Sequence, residues 1–148
     1  MRPSDYRPLI ELAVSCFGEH MRNAAAADFK GALELALIQP RVFVAWLDGT
    51  IVGCIQSVPM HITANAQGFA WLLVHPQYRR RRIGRDLLAF AEAEVIARRF
   101  KTGPGTFLLV SECDPDYYLG AGYHGGGLLT HDGHPFMVKL YTGQAKTI

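Results

Sequence analysis

An apolar run that leads into a basic loop and then a helix constrains the fold of this chain more than any other segment. Residues 68–74, GFAWLLV, are typical of a strand buried on both faces, and Pro76 cannot continue its hydrogen-bond ladder. From Ile83 apolar residues recur every fourth position, which indicates a helix. A second apolar run, TFLLV at 106–110, follows. The segment therefore predicts a strand–helix–strand unit with an arginine-rich first loop.

Two helices and a hairpin are predicted ahead of this unit. The apolar spacing of residues 4–17 indicates a first helix with Ser4 as its N-cap. An Ala- and Leu-rich stretch from Asn23 predicts a second helix that ends near Ile38. Two β-branched and aromatic runs then flank Asp48-Gly49, a strong signal for a tight hairpin turn.

The C-terminal part predicts a short helix and a closing hairpin. Asp114 is a plausible N-cap, with Pro115 at the first helical position, and the hairpin turns at Asp132-Gly133. With the preceding elements this gives a mixed sheet of the α/β class. The length of 148 residues and a hydrophobic content of 49% fit one domain over residues 1–148.

Cysteine usage and hydropathy favour a cytoplasmic protein. Cys16, Cys54 and Cys113 are odd in number and lack C-x-x-C spacing, which argues against a disulfide framework or a zinc knuckle. Acidic residues interrupt the apolar positions of the N-terminal stretch, and no later apolar run is long enough to span a bilayer. We therefore expect no membrane partner.

Positive charge is concentrated in the loop. The formal net charge is only +2, which gives little reason to expect a nucleic-acid-binding protein. The loop holds five of the 15 basic residues, which leaves 10 against 13 acidic residues elsewhere. These five are Arg79, Arg80, Arg81, Arg82 and Arg85.

This charge lies at a helix start, where cationic side chains are unfavourable unless an anion offsets them. Free backbone N–H groups and the helix dipole favour phosphate there. A solvated charge run and a duplex-binding loop are the alternatives, but a duplex needs a broader basic face than one loop offers.

Two segments resemble signatures of one enzyme family. LLVHPQYRRRRIGRDLL is similar to the acetyl-CoA-binding segment of the GNAT superfamily of acyltransferases, a strand with Val-x-Pro-x-Tyr followed by Arg/Gln-x-x-Gly-x-Gly/Ala and a helix. DPDYYLGAGY resembles the family's second signature, Tyr-x-x-x-Gly-Phe. The matching residues are Val74, Pro76, Tyr78, Arg79 and Gly84 in the first segment and Tyr118, Gly122 and Tyr123 in the second.

The resemblance implies a fold and a co-substrate. The fold is a central mixed β-sheet with a splayed parallel strand pair and flanking helices, and the co-substrate is acetyl-CoA, used without a metal. The strand backbone at Leu72, Leu73 and Val74 would hold the pantetheine arm and polarise the thioester carbonyl. Loop N–H groups would hold the pyrophosphate. The implied CoA contacts in and after the loop are Arg79, Arg80, Arg81, Arg82, Ile83, Gly84, Arg85 and Tyr118.

The chain departs from the family pattern at two points. Arg82 occupies the first glycine of the phosphate loop, where an arginine would be strained if the backbone needs a positive φ. The family's first strand is also absent or very short, because helix-like sequence begins by Ser4.

The resemblance assigns Tyr118 as the acid that protonates the departing thiolate. The base is less defined: Glu112 and His61 are candidates, a water chain is an alternative, and Asp114 is better explained as an N-cap.

Other motifs are weaker. GAGYHG at 120–125 formally matches a dinucleotide-binding pattern but lacks the following helix and acidic residue. His131 and His134 are typical polar residues of a turn, and Cys113 lacks a histidine partner in a recognisable motif.

The predicted function is N-acetyl transfer to a primary amine of a small molecule, peptide or protein by direct transfer in a ternary complex. A non-catalytic acyl-CoA-binding module of the same fold is the alternative. Residues 20–27 would line the acceptor side. The sequence leaves the acceptor and the oligomeric state open, a homodimer included.

Overall fold

The computed structural model describes residues 1–34, 40–60, 65–101 and 103–143. Short 3-10 turns lie at Pro3–Asp5, Glu19–Met21 and Pro76–Tyr78. The helices are α1 (Tyr6–Phe17), α2 (Arg22–Glu34), α3 (Ile83–Arg98) and α4 (Asp116–Leu119). The strands are β1 (Arg41–Leu47), β2 (Thr50–Pro59), β3 (Ala66–Val74), β4 (Gly105–Val110), β5 (His124–Leu129) and β6 (Pro135–Tyr141).

The chain divides into two compact units, and the boundary between them passes through β3 and α3. The first unit comprises Met1–Pro59 and Trp71–Ala91, and the second comprises Met60–Ala70 and Glu92–Ile148. The strand order is β1-β2-β3-β4-β6-β5, a mixed sheet in which β3 and β4 are parallel. The predicted mixed α/β architecture is confirmed.

The first unit is built around the hairpin of β1 and β2. Asp48 and Gly49 turn it with φ of 48° and 77°, the two positive values that a type I′ turn requires. Helices α1 and α2 contribute Leu9, Leu12 and Phe29 to the core of this unit. The N-cap prediction for Ser4 is wrong, because α1 begins at Tyr6 and Ser4 lies in the preceding turn.

The second unit contains the start of β3 and the three last strands. β3 pairs with β4 at Ala66–Gly68, and β6 pairs antiparallel with β4 and β5. Phe107 stacks on Phe69 at 5.4 Å between ring centroids and contacts Phe100 at the same distance. The core of this unit is therefore largely aromatic.

Two further expectations are corrected or left untested. β3 begins at Ala66, and its burial on both faces ends at Phe69, since Ala70 is exposed and Trp71 half-buried. The second helix is seen to Glu34, so its predicted end near Ile38 lies outside the described residues. The absence of a strand before α1 agrees with the sequence prediction for the described part of the chain.

Gly53 in β2 lets the strand–loop–helix segment pack closely. A Cβ at this position would lie 2.9 Å from the carbonyl oxygen of Leu73, 3.0 Å from Leu87 Cδ1 and 3.1 Å from Ile83 Cγ2. The nearest of these atoms belongs to the backbone and cannot rotate away. The missing side chain thus allows the first turns of α3 to rest on β2 and β3.

We expect Gly53→Ala to destabilise the protein by about 1 to 3 kcal/mol, the usual cost of overpacking. Differential scanning calorimetry should show a lower melting temperature. Gly31→Ala in α2 is the matched control, because a Cβ there meets nothing within 4 Å and alanine is the better helix former. Equal melting temperatures for Gly53→Ala and wild type would contradict the close approach.

Candidate active site

The strand segment that precedes the arginine loop is anchored at Val74. Its carbonyl oxygen accepts hydrogen bonds from Arg79 Nε at 3.2 Å and from Cys16 Sγ at 3.4 Å. The next residue, His75, donates its N–H to the carbonyl of Val52 at 2.8 Å. Of the predicted pantetheine contacts, Leu73 is buried, while Leu72 and Val74 are half-buried.

The loop has an unusual backbone. Arg80 and Arg82 have φ of 64° and 63°, in the left-handed region that glycine favours. Each left-handed non-glycine residue costs roughly 1 to 2 kcal/mol. The conditional prediction about Arg82 is thus fulfilled, because its position does adopt a positive φ. The sequence analysis missed Arg80, since no glycine pattern marks that position.

The start of α3 supplies hydrogen-bond donors directly after this loop. Asp86 N–H donates to the carbonyl of Arg82 at 2.9 Å, the first turn of the helical ladder. The N–H groups of Ile83, Gly84 and Arg85 precede that bond, so the helix gives them no acceptor. Together with the positive end of the helix dipole, they form a suitable site for a phosphate group.

The side chains of the arginine loop are open to solvent. All five guanidinium side chains are exposed, and that of Arg81 lies 5.3 Å from the ring centroid of Tyr78. The segment therefore combines backbone donors at the helix start with exposed cationic side chains in the preceding loop. A small polyanion such as a pyrophosphate fits both features.

In the second unit, Tyr118 is held in α4 by a local turn. The Asp114 carboxylate accepts the N–H of Asp116 at 3.0 Å. The helix nevertheless begins one residue later than predicted, because Pro115 is the N-cap residue and Asp116 the first helical residue. The Tyr118 side chain is 7% exposed. Burial raises its pKa above the ordinary value, and the neighbouring Cys113 adds to the effect. Its hydroxyl is therefore protonated at neutral pH.

Glu112 lies in the segment between β4 and α4 and is exposed. Its negative charge is the smallest of the contributions that raise the pKa of Tyr118. Cys113 is exposed as well, and His61, the other predicted base, lies outside the described residues.

Tyr123, the second aromatic residue of the matched signature, has a structural partner that the sequence analysis missed. Its hydroxyl donates to Glu92 Oε1 at 2.8 Å, and Lys139 Nζ donates to Glu92 Oε2 at 2.7 Å. The Lys139 ammonium also lies 5.5 Å from the Tyr123 ring centroid. Burial and the Glu92 carboxylate raise the pKa of the Tyr123 phenol. The separation of these residues in the sequence left no signal for this contact.

The turn between β5 and β6 carries the two histidines of the weak metal motif. His131 Nδ1 and His134 Nε2 lie 3.9 and 3.6 Å from the carboxylate of Asp132. Within the described ranges, no group of three or more His, Cys, Asp or Glu side chains is placed to hold a metal ion. Nor does any helix there have the length and apolar character of a membrane span.

Comparison with known families gives one match. The model of a family described as an acetyltransferase (GNAT) domain matches residues 39–124, which include β1 to α4 and the arginine loop. No curated protein sequence matches the chain.

Several solved structures share the fold. An aminoglycoside 6'-acetyltransferase type Ii superposes with a TM-score of 0.76 and is 22% identical, over 93% of this chain and 90% of that one. An aminoglycoside 6'-N-acetyltransferase from Enterococcus faecium gives 0.72 at 20% identity, over 95% and 92%. The PaiA N-acetyltransferase from Thermoplasma acidophilum, in complex with coenzyme A, gives 0.68 at 18% identity, over 95% and 96%.

The raised pKa of Tyr123 predicts a loss of stability at alkaline pH. Above the ordinary phenol pKa of 10.0 the unfolded chain releases this proton while the folded chain keeps it, so the free energy of unfolding falls as pH rises. Tyr123→Phe should be less stable at neutral pH but should lose less stability between pH 9 and pH 11, roughly one unit either side of that pKa. Urea unfolding across this range measures both effects. Parallel pH curves for the two proteins would contradict the prediction.

Proposed function

This chain belongs to the GNAT acetyltransferase family, and we propose that it transfers an acetyl group from acetyl-CoA to a primary amine by direct transfer in a ternary complex. The observation that carries this proposal is the arginine loop. Its cationic side chains and the N–H groups at the start of α3, for which the helix provides no acceptor, suit the pyrophosphate of CoA. Coenzyme A is present in the Thermoplasma relative, which supports the same co-substrate here.

The thioester end of acetyl-CoA is proposed to lie along Leu72–Val74. A backbone N–H of this segment would donate to the thioester carbonyl and stabilise the negative charge that develops on its oxygen. The Val74 carbonyl already accepts two bonds from the protein, which holds the end of the strand in place.

The amine nitrogen attacks the carbonyl carbon, the carbon–sulfur bond breaks, and the sulfur leaves as a thiolate. Tyr118 is the proposed donor of the proton that this thiolate takes up. Because its pKa is raised, the phenol is fully protonated at neutral pH, as an acid must be. Glu112 is the proposed route for the proton that the amine loses, directly or through water.

The acceptor is proposed to be a small-molecule or peptide amine. The aminoglycoside acetyltransferases among the structural relatives support an amine acceptor, although their likeness to this chain extends to the fold alone. We further propose that the protein acts in the cytoplasm, without metal, membrane or nucleic-acid partners.

A thermal shift tests the co-substrate. A ligand that binds only the folded state stabilises it by about 2.7 kcal/mol at a hundredfold excess over its dissociation constant. For a domain of this size, acetyl-CoA should raise the melting temperature by roughly 5 to 10 °C. Desulfo-CoA should act nearly as well and ATP distinctly less. No shift with any CoA species at millimolar concentration would remove the proposal.

Two loop variants sharpen this test. Gly84→Val should reduce the shift, because backbone must approach the phosphate closely at the helix start. Arg82→Gly should keep or increase it, since glycine adopts the observed φ of 63° without strain. A large loss with Arg82→Gly would mean that the guanidinium itself binds the phosphate.

Replacement of Tyr118 by phenylalanine should lower the rate of acetyl transfer by about 10²-fold, a typical cost of losing a general acid. Acetyl-CoA affinity should change little. The rate is measured by release of free CoA thiol and the affinity by calorimetry. An unchanged rate would assign the proton to another group, with Tyr117 the first to test.

The alternative function is binding of acyl-CoA without turnover. The β3 sequence contains no carboxylate that could act as a base, which favours this alternative. A clear thermal shift with acetyl-CoA, combined with no thiol release across a broad amine panel, would establish it.

A further inference from the structure

The peptide group between Val74 and His75 is restrained at both of its ends. Its N–H donates to the carbonyl of Val52 in β2 at 2.8 Å. A trans peptide is planar, so its carbonyl points the opposite way, away from β2. That carbonyl accepts hydrogen bonds from Arg79 Nε at 3.2 Å and from Cys16 Sγ at 3.4 Å. Side chains therefore satisfy a backbone group at the very end of the strand.

Of the two donors, the Arg79 guanidinium is the stronger. A thiol is a weak hydrogen-bond donor, whereas a charged N–H makes stronger bonds than a neutral one. The bond from Arg79 returns to the end of β3 across the 3-10 turn at Pro76–Tyr78. It thus ties the end of the strand to the start of the arginine loop.

Arg81 offers a comparison within the same loop. Its guanidinium lies over the Tyr78 ring, 5.3 Å from the centroid, and within the described residues it forms no hydrogen bond to a backbone carbonyl. Arg79 and Arg81 carry the same charge, and neither has a left-handed φ. The two residues therefore differ in the bond to Val74, whereas their charge and backbone strain are alike.

We propose that Arg79 is a positioning residue, whose Nε–H holds the Val74 carbonyl so that the backbone of Leu72–Val74 is oriented to receive the thioester arm of acetyl-CoA. This inference rests on the acetyltransferase function proposed above. The role belongs to the N–H group and not to the positive charge, because the group that it holds is a neutral carbonyl of the protein itself. A strand end that is already oriented avoids the ordering cost that a mobile one would incur on binding a ligand.

Substitutions that separate the N–H group from the charge test the proposal. Arg79→Gln removes the charge but keeps an N–H donor as many bonds from Cα as Nε is. Arg79→Met has a similar length and lacks both the charge and the donor. Both variants lose the same attraction to the phosphates, so a difference between them reports the bond to Val74. Calorimetry should give a dissociation constant for acetyl-CoA about three- to tenfold higher for Arg79→Met than for Arg79→Gln, the range of one hydrogen bond.

The same pair of substitutions at position 81 is the control. Arg81→Gln and Arg81→Met remove the same charge from the same loop without removing a bond to the backbone. Their dissociation constants for acetyl-CoA should therefore agree with each other. Equal constants for Arg79→Gln and Arg79→Met, or an equal difference between the two variants at position 81, would overturn the proposal.

Hydrogen exchange separates this inference from the proposed function, because it needs neither acetyl-CoA nor an acceptor. The His75 N–H shares its peptide group with the Val74 carbonyl. It should exchange faster in Arg79→Met than in Arg79→Gln, again by about three- to tenfold. Equal exchange in the two variants would overturn the role of Arg79 even where acetyl-CoA binds. Failure of the wild type to bind acetyl-CoA would instead remove the proposed function, and the positioning role with it, whatever the exchange rates.

Discussion

The close approach that Gly53 permits is the constraint on which the first unit depends. With no side chain at this position, the Leu73 carbonyl, Ile83 and Leu87 come to within about 3 Å of where a Cβ would be. The start of α3 therefore rests directly on β2 and β3, and the chain has to turn sharply between Val74 and Ile83. The left-handed conformations of Arg80 and Arg82 belong to that turn. An anion at the helix start would offset part of their strain and the repulsion among their side chains.

Positive charge is distributed unevenly within the first unit. The arginine loop is cationic and follows β3, whereas α1 and α2 together carry three basic and three acidic residues. Arg22 pairs with Glu11 of α1 and with Glu19 of the turn between the helices, and Lys30 pairs with Glu34 of α2. The excess positive charge of this segment of the first unit is therefore concentrated in the loop, where the anionic co-substrate is proposed to bind.

In the second unit, burial keeps two phenols neutral for different purposes. The raised pKa of Tyr118 keeps the proposed acid protonated, although it also makes the proton harder to release. Tyr123 instead donates to Glu92, which in turn holds Lys139, so this tyrosine connects α3 to β6. Of the two tyrosines in this sequence signature, Tyr118 is therefore the proposed acid, whereas Tyr123 has a structural role.

The sequence alone determined the elements with local signals. The period of α3, the Asp48-Gly49 turn and the closing hairpin follow from neighbouring residues. The same local signals give the position of the proposed anion site and the expectation that Arg82 would be strained at a positive φ. Tertiary structure decided what depends on distant residues meeting. The contacts of Gly53 with Leu73, of Trp71 with Asp28 and of Tyr123 with Glu92 arise when strands and helices pack, and no periodicity or spacing encodes them. The left-handed φ of Trp71 is another feature that the tertiary structure decided. The apolar residues around it predict a regular strand. The packing of its side chain and its carbonyl against neighbouring elements holds the backbone in a different conformation.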